Sequence, residues 1–444
     1  MYQFFLENVL LPMGDWVFKS SFIADVKRMR RLVKANEAEQ TRFQCEQLQQ
    51  LLQHATQHTA YYRGLNITPD ADPEIWLKRF PVLEKKTIRE QGMNLMSVSS
   101  TEGLALNSTS GSTGEQTQVY VSPREQSYYQ AAQTVWWEWA GYHPGLPIIQ
   151  TGLAPKRNFK KKIKDFFFRT HYLFAFALTK EQVQQAFQWA RGKKRVVIGG
   201  YASSLYVFAG LAEDTQKPGN ISAAISWGDK MFDHYRKKIS EELGCKVYET
   251  YGAAEGLMIG AQKDLEYLYI MTPCVYLEIL DDAGNPVADG EIGHVVVTSL
   301  TAHTMPLIRY KLGDLAIKLP KEKYPAQRDL HLPLLQKVVG RETDIVITPS
   351  GKKLIVHSFT GVFEYYSEVR QFCVVQDHVN GVRIDYVKDV NFYPEVLEKI
   401  DAHLRRFITE PFEITYHEVN EIPPTKSGKP QIIISNLIRN KAKN

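Results

Sequence analysis

The sequence predicts an α/β protein. A large N-terminal domain should hold mostly parallel sheets flanked by helices plus a small β subdomain, with a small α+β domain at the C-terminus. Three observations carry this. From Thr109 onward, apolar strand-like runs alternate with amphipathic helical runs, the rhythm of a parallel sheet covered on both faces. After Glu255 the rhythm gives way to period-two alternation around an Asp-Gly turn region in "VYLEILDDAGNPVADGEIGHVVVTSL". The block 340–444 then mixes short strands with helices. At ~150 residues per domain, 444 residues fit two or three domains.

The elements follow in order. Apolar residues at helical spacing between 24 and 62, among them Leu32, Leu48, Leu51 and Leu52, predict helix. Ser122 and Pro123 open a helix that Gly141 closes. "PIIQTGLA", "KRVVIGGY", "NISAAISWGD" and "KVYETYG" read as strands, with helices at "KEQVQQAFQWARG", "SSLYVFAGLAED" and "DHYRKKISEELG" between them. In the last block a hairpin turns at Pro349-Ser350-Gly351, "VRQFCVVQ" and "ITYHEVNEIP" read as strands, and "YPEVLEKIDAHLRRFI" as a helix.

Composition narrows the function classes. Hydrophobic residues make up 44% and charged residues 23%, ordinary for a globular chain with a sizeable core. A formal charge of +5 gives little reason to expect a nucleic-acid partner. Cys45, Cys245, Cys274 and Cys373 are scattered with no C-x-x-C pair, which argues against a cysteine zinc site and fits a reducing cytoplasm. His54 and His58, four apart, make a poor metal site by themselves. No run reaches the ~20 apolar residues of a membrane span. The opening stretch, "MYQFFLENVLLPMGDWVFKS", reads as a packed helix or arm rather than a signal peptide, with docking on a membrane surface as the alternative. The basic run "KRNFKKKIKDFFFR" at 156–169 reads as a solvated helix face, with peripheral contact to an anionic membrane surface or an anionic substrate as the functional alternatives.

Five stretches carry chemistry. "NSTSGSTGEQTQVYVS" packs Ser108, Thr109, Ser110, Ser112 and Thr113 around Gly111 and Gly114, a composition suited to phosphate oxygens. It lacks the lysine of the usual phosphate loop, and Gln116 stands where that pattern needs glycine. In "YETYGAAEG", Tyr251 and Gly252 follow a strand and Glu255 sits at its carboxyl end, a natural place for a Mg²⁺-binding carboxylate. In "PLIRYKLGDLA", Asp314 either binds ribose hydroxyls or caps a turn. Arg341 and Asp344 open the last block, and Lys426 and Lys429 stand in the loop "IPPTKSGKPQ". Trp136 and Trp137, and Trp227 at the end of "NISAAISW", read either as core or as walls of an aromatic-lined pocket.

In this order and spacing the stretches resemble the adenylate-forming superfamily of acyl-CoA synthetases, most nearly phenylacetate–coenzyme A ligases and capsular-polysaccharide adenylyltransferase-like relatives. "ISWGDKMFDHYRKKISEELGCKVYETYGAAEG", "VIGGYASSLYVFAGLAED", "MPLIRYKLGD" and "LLQHATQHTAYYRGL" carry the subfamily flavour. The resemblance implies an ATP- and Mg²⁺-dependent carboxylate ligase in the cytoplasm. Residues 1–339 would bind ATP and the acid, and a mobile domain at 340–444 would carry Lys429. The loop 108–114 would close over the phosphates, Mg²⁺ would sit on Glu255, and Lys429 would act at the reacting phosphate. Tyr251 would stack on adenine beside Gly252, Asp314 would hold the ribose, and Arg341 would contact ribose or phosphate. Thr343 and Asp344 would be the hinge, and Trp136, Trp137 and Trp227 the acyl pocket. The acceptor is expected to be coenzyme A. Alternatives are a carrier-protein thiol, a sugar amine or hydroxyl in polysaccharide biosynthesis, or no transfer at all in an inactive nucleotide-binding scaffold. Ala254, where the family has Thr or Ser, favours the last; losing that hydroxyl costs about 1 kcal/mol or more.

Overall fold

The computed structural model describes residues 2–18, 20–108, 117–152, 154, 157–175, 177–341, 345–363, 365–366, 368–406, 408–423 and 431–437. Its centre is one eleven-stranded sheet. In chain order the strands are β1 (Ala105–Ser108), β2 (Gln118–Val121), β3 (Ile148–Gly152), β4 (Thr170–Phe174), β5 (Val196–Tyr201), β6 (Ile221–Trp227), β7 (Lys246–Ala253), β8 (Leu257–Ala261), β9 (Leu268–Ile270), β10 (Val275–Leu280), β11 (Ile292–Ser299), β12 (Tyr310–Lys318) and β13 (Leu334–Arg341). β1 and β2 form a separate antiparallel pair around the Ser/Thr/Gly loop. The others lie in the order β10-β11-β12-β13-β9-β8-β7-β6-β5-β3-β4.

The sheet has two halves. From β7 to β4 every pairing is parallel. From β7 to β10 every pairing is antiparallel. The parallel half is buried on both faces, so its strands are apolar at successive positions. Ile149, Ile198 and Ala224 pack against the helices Lys180–Ala190, Ala202–Leu211 and Asp233–Leu243 on one face, while Ile148, Val197, Ala223 and Ile225 face Tyr142 and Trp137 on the other. The expected β subdomain is present as antiparallel strands. It is not detached, because β8 continues the same ladder from β7. The edge strand β4 has no counterpart in the sequence reading; it follows directly on the basic helix Phe159–Phe167.

The helix Pro123–Trp139 begins with a capping box between Ser122 and Glu125. The same Glu125 carboxylate accepts the backbone N–H groups of His303 and Thr304, each at 2.7 Å. One buried acid thus ties the helix after the loop to the segment leading into β12.

After β13 come β14 (Ile345–Ile347), β15 (Lys353–Ile355), β16 (Val369–His378), β17 (Gly381–Lys388), β18 (Glu413–Glu418) and β19 (Ile433–Ser435). β14 and β15 form the expected hairpin. The other four make a sheet in the order β18-β17-β16-β19, covered by the helices Val356–Phe363 and Glu395–Leu404. Phe232 and Tyr235 of the larger part reach into this second core. Among the described residues no helix is long and apolar enough to cross a membrane.

His54 tests how tightly this packing excludes charge. Its Nε2 lies 3.0 Å from the His303 carbonyl oxygen, with the His58 and His303 rings 4.8 and 5.1 Å away. Burial holds its pKa below the usual 6.5, and the neighbouring histidines add to this. The unfolded chain therefore takes up the proton first. The stability His54 confers is complete above pH 6.5 and is lost as pH falls below it. We expect the urea midpoint to drop between about pH 7.5 and 5.5, and His54→Asn to make that drop smaller. An unchanged pH slope in the variant would show that His54 does not contribute.

Candidate active site

The site is built where the two halves of the sheet meet. β7 is the last parallel strand, and its carboxyl end turns tightly into β8 through Ala254, Glu255 and Gly256. The turn closes with Gly256 N–H donating to the Ala253 carbonyl at 3.0 Å. Gly256 has φ +90°, and a side chain there would strike the Tyr129 ring. A Cβ on Gly252 would lie 2.7 Å from the Leu257 carbonyl oxygen. Glycine is thus dictated on both sides of Glu255, which the turn presents beyond the strand end, where ligands gather in open α/β sheets.

Two hydrogen bonds tie this turn to β12. Tyr251 Oη donates to Asp314 Oδ2 at 2.8 Å, and Tyr310 Oη donates to Glu255 Oε1 at 2.6 Å. The exchange is reciprocal: each segment supplies a tyrosine and, four residues on, a carboxylate. β7 and β12 are not neighbours, since β8, β9 and β13 lie between them in the ladder. In a flat sheet four strand spacings would separate them by ~19 Å. The antiparallel half therefore curls back until β12 faces the end of β7. β13 permits this by pairing with β9 only at Leu334 and Leu335.

Electrostatics follow from burial. Desolvation, and then the charge of Asp314, push the Tyr251 phenol well above its usual value. Desolvation followed by Glu255 does the same to Tyr310. Both phenols stay protonated and act as donors across the physiological range. Glu255 is 4% exposed, and among the described residues it has no ion pair. A buried carboxylate without a cation is costly, so the geometry fits a divalent ion. No group of three or more His, Cys, Asp or Glu that could hold a metal occurs among the described residues. A metal at Glu255 would take its other ligands from substrate oxygens and water, as Mg²⁺ does in phosphate sites.

Of the residues named from sequence, Tyr251, Gly252, Glu255, Asp314 and Arg341 converge. Arg341 stands opposite Asp314 in the β12–β13 register. Ser108 ends β1 at the entry of the Ser/Thr/Gly loop. Thr109, Ser110, Gly111, Ser112, Thr113, Gly114 and Gln116, the hinge candidates Thr343 and Asp344, and Lys426 and Lys429 lie outside the described residues. The tryptophans divide. Trp136 is buried in the main core near Gly252. Trp137 and Trp227 are half-buried and stacked, ring centres 5.3 Å apart at 20°, with Trp227 closing the carboxyl end of β6.

Sequence reasoning missed Tyr310, although the 310/314 spacing repeats the 251/255 spacing. It also missed two cations on the helix Lys85–Gln91. Arg89 donates to the Thr117 hydroxyl at 3.5 Å, next to the loop, and its charge reaches Tyr310. The Lys85 ammonium lies 3.8 Å from where a side chain on Gly313 would start. Only the fold brings this helix to β12.

The solved 2-hydroxyisobutyryl-CoA ligase, in its postadenylation state with R3-HIB-AMP, superposes over 93% of both chains with a TM-score of 0.71 at 17% identity. The chain has the adenylate-forming ligase fold. In sequence it is similar to the phenylacetate-coenzyme A ligase of Thermus thermophilus, 25% identical over 290 residues, which is 61% of this chain and 64% of that relative's length. It is also similar to Protein CapK of Staphylococcus aureus, 21% identical over 452 residues and 97% of both chains. Residues 346–436 match the CapK C-terminal domain. In this adenylate-forming fold the exchange of tyrosines and carboxylates occupies the end of the last parallel strand.

Tyr310→Phe isolates the second bond of the exchange. It leaves a buried carboxylate without its donor and should destabilise the protein by roughly 1–3 kcal/mol. Mg²⁺ with ATP should narrow the difference from wild type, because a cation at Glu255 replaces the lost partner. Urea denaturation with and without the nucleotide checks this; an equal difference in both conditions would show that nothing binds at Glu255.

Proposed function

We propose that the protein is an ATP-dependent, AMP-forming carboxylate ligase. The convergence of Tyr251, Glu255, Asp314 and Arg341 at the end of β7 is the observation that carries the reading, and the Ser/Thr/Gly composition of 108–114 supports it. In the first half-reaction a carboxylate oxygen of the acid attacks the α-phosphorus of ATP and pyrophosphate leaves. In the second, an acceptor nucleophile attacks the acyl carbon and AMP leaves.

The residues take distinct roles. Asp314, with one oxygen fixed by Tyr251, holds ribose hydroxyls through the other, and the Tyr251 ring stacks on adenine. Glu255 holds Mg²⁺, which when bound offsets phosphate charge. Arg341, Arg89 and Lys85 supply fixed positive charge around the phosphates, which the loop lacks. Lys429, from 340–444, meets the charge that develops when one anion attacks another. The stacked Trp137 and Trp227 form one wall of the acyl pocket and favour an aryl or other flat apolar acid.

Coenzyme A is the first acceptor we propose, on the likeness to phenylacetate-coenzyme A ligase. The likeness to CapK is weaker in identity but runs the whole length, which favours keeping a second acceptor class, a carrier-protein thiol or a sugar amine or hydroxyl. Acid-dependent exchange of labelled pyrophosphate into ATP tests adenylation under either reading. Lys429→Ala should cut that exchange by at least about a hundredfold while the urea midpoint stays unchanged. Thioester appearing only with coenzyme A supports the first acceptor. Exchange without thioester favours the second, and absence of exchange over a broad panel of acids leaves an inactive nucleotide-binding scaffold.

The pivot belongs just after Arg341, where β13 ends. Lys429 must approach the phosphates and then withdraw, so that the acceptor reaches the same carbonyl carbon. Thr343 and Asp344 are the proposed hinge. Thr343→Pro, which fixes φ near roughly −65°, should spare one half-reaction and cripple the other. Pyrophosphate exchange and acyl transfer, measured separately, decide it; two normal rates would remove the hinge from this position.

A further inference from the structure

Residues 2–18 form a continuous helical stretch, Tyr2–Phe5, Leu6–Leu10 and Leu11–Phe18. Its inner side packs: Leu6 is buried, and it lies with Tyr2 against Gly145. Its outer side does not. Phe4 is 73% exposed and Trp16 83%, and Phe5, Val9, Met13 and Val17 are exposed with them. Residues 5, 9, 13 and 16 fall on one helical face.

The helix Phe159–Phe167 lies alongside. Tyr2 Oη donates to the Phe167 carbonyl at 2.7 Å, and the Arg169 guanidinium covers the Tyr2 ring at 4.0 Å. This second helix also turns rings outward, with Phe159 77% and Phe166 78% exposed and Ile163 between them on the same face. Single exposed apolar residues need no explanation, but two touching helices with such stripes form a patch that does.

Charge identifies the occupant. The acids of the two helices are all engaged inward. Glu7 pairs with Arg30, Asp165 with Arg157, and Asp15 accepts the backbone N–H groups of Phe22 and Ile23. Lys161 and Lys162 are both exposed on this helix, and helical spacing sets Lys162 beside the outward rings. Aromatic rings flanked by exposed cations match the boundary of an anionic bilayer, where rings enter the headgroup region and lysines meet lipid phosphates. A second copy of the chain would set lysines against lysines.

We propose that the helices at 2–18 and 159–167 together form a docking surface for an anionic membrane, with Trp16, Phe159 and Phe166 as the inserting anchors. The surface is separate from the nucleotide site, and the inference is independent of the proposed reaction.

Co-sedimentation of the full-length protein with vesicles tests it. Vesicles of phosphatidylcholine containing about one-third phosphatidylserine should bind the protein, pure phosphatidylcholine much less, and added salt should release it. Lys161→Gln with Lys162→Gln should weaken binding roughly thirtyfold. Trp16→Ser with Phe166→Ser should weaken it at least tenfold on both vesicle types. An unchanged urea midpoint for each variant shows that its fold is intact. Failure to bind anionic vesicles, or binding indifferent to both double variants, overturns the proposal. So does a wild-type dimer that the ring variants split while vesicles stay unbound, since the face is then an interface between copies.

Discussion

The reciprocal bonds Tyr251–Asp314 and Tyr310–Glu255 are the constraint on which the site depends. They connect strands that the ladder order holds four spacings apart, so they exist only if the antiparallel half of the sheet curls. Once it curls, Asp314 and Arg341 are carried to the end of β7 together, because β12 and β13 are paired at that register. The helix Lys85–Gln91 also comes close, packed against β12 through Leu83, whose backbone bonds Arg309 and Lys311. Each bond joins a phenol donor to a carboxylate oxygen and contributes on the order of 1 kcal/mol. Neither would form alone without bringing the other's partners within reach.

Much of the fold was legible because the local signals agree with the tertiary structure. The helix Pro123–Trp139 announces itself with Ser122, Pro123 and Gly141, and the parallel strands with unbroken apolar runs. β4 was not legible. Its sequence "THYLF" is mixed in character and follows a basic helix, and only its pairing with β3 makes it a strand. Nor could sequence show that the β subdomain continues the main sheet, since the β7–β8 turn reads as motif rather than as hairpin. The same holds for the site. Glu255 and Asp314 stood out by residue type and neighbours. Tyr310 carries no local mark of a site, and neither do Lys85 and Arg89, more than two hundred residues from the motif they approach.

The acids and bases of this chain are sorted by where they are needed. At the site, the buried Glu255 and the half-buried Asp314 are each held at one oxygen by a phenol, which leaves the other oxygen free of that bond. On the face formed by 2–18 and 159–167 the carboxylates are neutralised by arginines or used as a cap, which leaves the lysines outward. Tyrosine and arginine partners therefore have opposite consequences. A phenol preserves the negative charge for a ligand, and a guanidinium cancels it.

This distinction bears on Ala254, the departure that most favours a scaffold without activity. A hydroxyl at position 254 would touch a phosphate, but it plays no part in holding Glu255. That task falls to the turn itself, through the Gly256–Ala253 backbone bond, the positive φ of Gly256 and the Tyr310 hydroxyl. A missing hydroxyl at 254 therefore leaves the carboxylate where it was. Among the described residues Glu255 is buried with no ion pair, and neutral side chains would pack in such a place at lower cost. That cost is offset if a cation arrives with a ligand, which is the premise of the proposed reaction.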